Sequence, residues 1–99
     1  MDTGLNENTL NLMNQVFMRY NEIEKVYIFG SRAKGNYKPN SDIDLAIAGN
    51  IDRLLSEKIA MQLDDLPLPY KFDVQAYDHI KNTQLKAHID RIGVVIYDK

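Results

Sequence analysis

The 99-residue sequence contains no cysteine. Disulfide staples, cysteine-based zinc knuckles and thiol nucleophiles are therefore excluded, and a reducing compartment such as the cytoplasm is the expected setting. Long apolar runs are missing too: no stretch approaches the ~18 apolar residues that a membrane-spanning helix needs. The segment from Met1 to Leu10 carries Asp2, Asn6, Glu7 and Asn8 where a secretion signal would place a basic stretch and an apolar core. Positive charge is also scarce. The formal net charge is -2 and the pI about 5.6, so the molecule as a whole lacks the basic footprint of a protein that grips long nucleic acid through its phosphates. Proline is sparse, and the pair Pro67 and Pro69 is too short to separate two domains. What is present is ordinary globular material, 44% hydrophobic and 26% charged, enough for one packed domain over residues 1–99. At this length any second substrate-holding domain is expected to come from another polypeptide.

The patterning predicts an alternation of helices and strands. From Asn6 to Tyr20, the residues Met13, Val16, Phe17 and Tyr20 recur at helical spacing, with Asn6 as the N-cap and Glu7 in the first turn. Val26 to Phe29 is β-branched and aromatic and stops at Gly30, which reads as a short buried strand. Arg32 to Asn40 is a loop that begins with one helical turn. From Asp42 to Ala48, Ile43, Leu45 and Ile47 alternate with Asp42, Asp44 and Ala46, as a strand with two different faces requires. Helical spacing returns over Ile51 to Leu66, and Pro67 prevents continuation. A third strand follows at Phe72, Val74 and Ala76, then a helix from Asp78 to Ile92 with Gly93 as its stop, and a closing strand from Val94 to Tyr97. The fold class is α/β (α+β), a sheet with helices packed on it.

Three features carry chemistry. Gly30-Ser31 directly follows a predicted strand. A glycine there allows close backbone approach to a phosphate, and free amides in the turn beginning at Ser31 favour an anion. Arg32 and Lys34 stand close enough to supply positive charge to a triphosphate. Asp42 and Asp44 are one residue apart on a strand, so both point to one face, roughly 6 to 7 Å between α-carbons. Such a pair suits magnesium, a hard cation that takes oxygen ligands and shares its shell with phosphates and water. Asp73 lies between Phe72 and Val74 and must face away from their apolar side. If its strand adjoins the Asp42–Ala48 strand, three carboxylates form one cluster able to hold two metal ions, with Asp73 the natural base for an incoming hydroxyl. Taken singly, Asp-x-Asp is more often a solvated strand face and Gly-Ser more often a simple turn. Their joint order is what points to phosphoryl or nucleotidyl transfer.

At these residues the sequence resembles the minimal nucleotidyltransferase family of the DNA polymerase β-like superfamily. The resemblance rests on Gly30-Ser31-Arg32-Ala33-Lys34-Gly35 and Ser41-Asp42-Ile43-Asp44-Leu45-Ala46, with Lys34 where arginine is frequent. It implies a mixed, twisted sheet flanked by helices, with Asp42 and Asp44 as magnesium ligands and Asp73 as third acid and base. Gly30 and Ser31 would hold the triphosphate of ATP. It further implies a small all-α HEPN toxin as partner, silenced by transfer of AMP to one of its tyrosines. Two alternatives remain beside that reading: an antitoxin that acts by binding alone, and transfer to a small molecule such as an aminoglycoside. Polymerisation is not expected, because nothing offers a basic, aromatic-rich groove for a template or primer.

The remaining polar residues read as ordinary surface. His79 and His88 show no metal-ligand spacing and are expected at the surface or at a helix boundary. Lys81, Lys86 and Arg91 read as a solvated helix face. Tyr20, Tyr27 and Tyr97 sit in core-like patterns and are expected to pack.

Overall fold

The computed structural model describes residues 3–99. Helix α1 (Glu7–Phe17) opens at Asn6, whose side chain accepts the Thr9 amide at 2.8 Å, the cap the sequence predicts. The chain continues through β1 (Ile23–Phe29), the single turn α2 (Ser31–Lys34), β2 (Ile43–Gly49) and α3 (Arg53–Asp64). It ends with β3 (Phe72–Ala76), a 3-10 turn (Tyr77–His79), α4 (Thr83–Ile92) and β4 (Val94–Asp98).

The four strands form one sheet in the order β3-β2-β1-β4. Central β1 is antiparallel to both β2 and β4, whereas β2 and β3 run parallel. A parallel pair cannot be joined by a tight turn, and α3 supplies the crossover. The result is the mixed, helix-flanked sheet implied by the sequence.

Alternation along the strands assigns the two faces. Val26 and Ile28 of β1 and Ile43, Leu45 and Ile47 of β2 join one core with Met13, Val16 and Phe17 of α1 and Ile59 and Leu63 of α3. All of these side chains are fully buried. On the opposite face Phe29 and Ala46 meet Ile89 of α4, with Tyr27, Tyr77, Ile80 and Leu85 packed around them. Two helices therefore cover one side of the sheet and a single helix covers part of the other.

One sequence expectation, the start of the last helix, gives way to the structure, and another, its stop at Gly93, holds. The last helix begins at Thr83 and not at Asp78, because Ile80 and Asn82 keep extended backbones (ψ 117° and 111°) and Asn82 is the true cap. Its side chain accepts the amides of Gln84 and Leu85 at 2.9 and 3.1 Å. Gly93 does end the helix, but at φ -59° and ψ 139°, outside the left-handed region. The glycine is required there for space: a Cβ would collide with the carbonyl oxygen of Ile89, whose hydrogen bond from the Gly93 amide is 2.7 Å long.

Candidate active site

The parallel pairing sets Asp44 directly opposite Asp73, and the end of β1 sets Phe29 opposite Asp44. Because residues alternate along a strand, Asp44 shares the face of Ala46, the incompletely covered side of the sheet. Asp42 stands one residue before β2 and is exposed, as is Asp73. The Asp44 carboxyl is held above the ordinary carboxylate range, first by burial and then by the negative charges of Asp73 and Asp42. Asp73 and Asp42 thus both act on Asp44 at the end of the sheet.

Among the described residues no three acidic or imidazole groups converge into a complete metal cage. The carboxylates form an open set. Such a set fits magnesium, which completes its shell with phosphate oxygens and water. The all-oxygen donors and the mutual repulsion at Asp44, which a cation would relieve, fit the same ion.

Beside Asp44 the chain leaves β1 through Gly30, at φ 74° and ψ -150°. A side chain rarely tolerates that conformation, and a Cβ here would overlap the Oδ2 of Asp44. The bare α-carbon of Gly30 therefore rests against the carboxylate. Half-buried Ser31 opens α2. The Lys34 amide bonds the Gly30 carbonyl and the Gly35 amide that of Ser31, each at 3.0 Å. By helix geometry the amides of Ser31, Arg32 and Ala33 precede this ladder; half-buried Ser31 can offer its amide to an anion, whereas Arg32 and Ala33 are 1% and 2% exposed. Gly35 closes the turn in the left-handed conformation at φ 87°.

Arg32 and Lys34, two residues apart, face different surroundings. Lys34 is exposed at the end of α2. Arg32 is only 1% exposed, and its guanidinium points into the protein. It donates twice to the Ser41 carbonyl (3.0 and 3.3 Å) and also to those of Thr3 (3.0 Å) and Pro39 (3.4 Å). Its planar head lies 5.1 Å from the Tyr37 ring centroid and 4.9 Å from that of Tyr70. The expectation that Arg32 supplies charge to a triphosphate is corrected: its donors are turned to loop carbonyls. It pins the loop that leads into Asp42.

His88 departs from its expected place at the surface. It lies on the inner side of α4, one residue before buried Ile89, and its Nε2 accepts the Gly30 amide at 3.3 Å. Its ring meets Phe29 edge-on, with centroids 6.3 Å apart. Burial, then the charges of Lys34 and Arg91, lower its pKa from the ordinary histidine value. One sequence signal was available: His88 stands three residues after Leu85 on the apolar stripe of its helix. His79, by contrast, is exposed in the 3-10 turn, as expected.

The family described as polymerase beta, nucleotidyltransferase, matches residues 11–99, and the chain belongs to it. Among curated proteins no significant match is found. Several solved structures share the fold. One is a toxin-antitoxin complex with AMP-PNP, 24% identical with a TM-score of 0.72, covering 96% of this chain and 75% of that one. Another is the MntA-HepT toxin-antitoxin, 18% identical with a TM-score of 0.72, covering 95% and 74%. A third is a tri-AMPylated Shewanella oneidensis HEPN toxin in complex with its MNT antitoxin, 18% identical with a TM-score of 0.71, covering 94% and 72%. Among the described residues, no helix is long and apolar enough to cross a membrane.

Proposed function

We propose that this nucleotidyltransferase moves AMP from ATP to a tyrosine hydroxyl of a small all-α HEPN partner, and so acts as the antitoxin of that pair. The observation that carries the reading is the register that puts Asp44 opposite Asp73, next to a Gly30 whose α-carbon rests on the Asp44 carboxylate. The turn read as triphosphate-binding thereby lies beside the acids. The partner and the acceptor draw their support from structures of the same fold: one is a toxin-antitoxin complex with AMP-PNP, and in another the HEPN toxin carries AMP.

In this reading the amide and hydroxyl of Ser31, with the Lys34 ammonium, orient the triphosphate. Asp42, Asp44 and Asp73 would hold magnesium, which when bound would offset triphosphate charge and lower the pKa of a nearby hydroxyl. Asp73, exposed on the edge strand, accepts the proton of the incoming hydroxyl. The acceptor oxygen bonds to the α-phosphorus as the bond to pyrophosphate breaks, and pyrophosphate leaves with the electron pair. Alignment and charge neutralisation are the main demands such a transfer places on a protein.

The test is incubation with labelled ATP, magnesium and a HEPN protein encoded beside the gene. Label is expected on a partner tyrosine. Transfer that survives Asp42→Asn combined with Asp44→Asn would sink the catalytic assignment, and a double variant that protects cells as well as wild type would favour inhibition by binding alone.

A further inference from the structure

The Gly30 turn is anchored from outside its own segment. A positive-φ backbone conformation of the kind Gly30 adopts persists only where its surroundings hold it. Two hydrogen bonds do so: the Gly30 carbonyl accepts the Lys34 amide at 3.0 Å, and the Gly30 amide is accepted by His88 Nε2 at 3.3 Å. The second comes from α4, far along the chain. The next residue on that helix, Ile89, is 1% exposed and packs with Phe29 and Ala46, so the imidazole is seated on the sheet.

We infer that His88 is a positioning residue for nucleotide binding, a neutral imidazole whose Nε2 tethers the Gly30 amide and thereby sets Ser31 against Asp44. The inference rests on the nucleotidyltransferase reading of the turn. An accepting Nε2 carries no proton, so the ring hydrogen sits on Nδ1. Burial and the nearby positive charges of Lys34 and Arg91 act in the same direction, favouring the neutral ring. Because the Gly30 α-carbon rests on Asp44 Oδ2, a tether that slackens displaces half-buried Ser31 and a carboxylate together. Loss of the tether should therefore weaken nucleotide binding while leaving stability nearly unchanged, which a packing role against Phe29 would not do.

Two variants separate these roles. His88→Leu keeps bulk against Phe29 but offers no acceptor; His88→Gln carries a carbonyl oxygen at a similar reach. Imidazole nitrogen shifts of the wild-type chain should show an unprotonated Nε2. The Gly30 amide should exchange slowly in wild type and His88→Gln and faster in His88→Leu. Calorimetry with magnesium and ATP should show binding weakened by about five- to ten-fold in His88→Leu, the loss expected for one net hydrogen bond, and largely restored in His88→Gln. A proton on Nε2, equal Gly30 exchange in all three proteins, unchanged binding by His88→Leu, or a loss that His88→Gln does not restore would each overturn the inference. A wild-type chain that binds no ATP would overturn the functional reading and this inference with it, while the amide data separately decide whether the tether exists. Should the leucine variant fail to fold, His88→Asn, too short to reach Gly30, takes its place.

Discussion

The two faces of the sheet are built to different ends. On the α1 and α3 face, the side chains of Val26, Ile28, Ile43, Leu45 and Ile47 are wholly buried between sheet and helices. On the α4 face only Phe29, Ala46 and Ile89 form a small buried cluster, and the same surface carries Asp44 and Asp73. Burying apolar area supplies most of a small domain's stability, at roughly 25 cal/mol per Å². The closed face therefore holds the fold. It leaves the other free to carry mutually repelling carboxylates, which lower stability unless a cation joins them.

Substitutions can break that division of labour, and the largest effect is expected on the open face. Asp42→Asn with Asp44→Asn should cut label transfer by at least about 10³-fold, since the proposed magnesium ligands are lost, while circular dichroism shows the fold retained. On the closed face, Leu45→Ala should cost about 2–5 kcal/mol in urea unfolding through the cavity it leaves, a large share of the total for a domain of this size.

Arg32→Ala should cost about 2–4 kcal/mol by leaving the buried Thr3 carbonyl and the part-buried Pro39 and Ser41 carbonyls without this donor. Arg32→Lys should recover little, because a lysine lacks the planar fork that serves several carbonyls and stacks between two rings.

A smaller effect of opposite sign is expected at Asp44 in the metal-free protein. Its folded pKa lies above the unfolded one. The protonated carboxyl is therefore tolerated at low pH, and stability is lost as pH rises through the folded pKa. Asp44→Asn should raise the melting temperature by a few degrees at neutral pH, and the gain should fade as pH falls into the ordinary carboxylate range. No gain at neutral pH would mean that the open face is not strained by its charges.

The smallest effect is a surface reporter beside α4. The Tyr77 hydroxyl donates to Asp90 at 2.5 Å, and this bond, ahead of burial and the Asp90 charge, pushes the phenol up to about 12. Asp90→Asn should bring the phenol titration, followed by ultraviolet absorbance, down toward 10.0, with transfer unaffected.

Much of this division is legible in the sequence. The alternation from Ile43 to Ile47 already separates an apolar from an acid-bearing face, and Gly30-Ser31 and Asp42-Ile43-Asp44 act through spacings of one or two residues. The cap at Asn6 is equally local. What escapes local reading depends on partners distant along the chain. That Asp73 lies opposite Asp44 follows from parallel pairing, which spacing leaves open. The inward turn of Arg32 is decided by Thr3, Ser41, Tyr37 and Tyr70 together. Likewise His88 looks like a surface histidine until α4 is laid over Gly30. The late start of α4 is a different kind of miss, in which an extended Ile80 and the cap at Asn82 override an apolar stripe that would allow an earlier start.

The clasp of Arg32 has a thermodynamic consequence for ligand entry. A glycine- and asparagine-bearing loop of this kind would ordinarily lose conformational freedom on meeting its ligand, at about 1–2 kcal/mol per residue ordered. Here three loop and terminal carbonyls already converge on one buried guanidinium, so most of that ordering is complete before a nucleotide arrives. Association should then proceed without a slow loop-closing phase, and its heat-capacity change should stay small, reporting the surface covered by the ligand and not the folding of a segment around it.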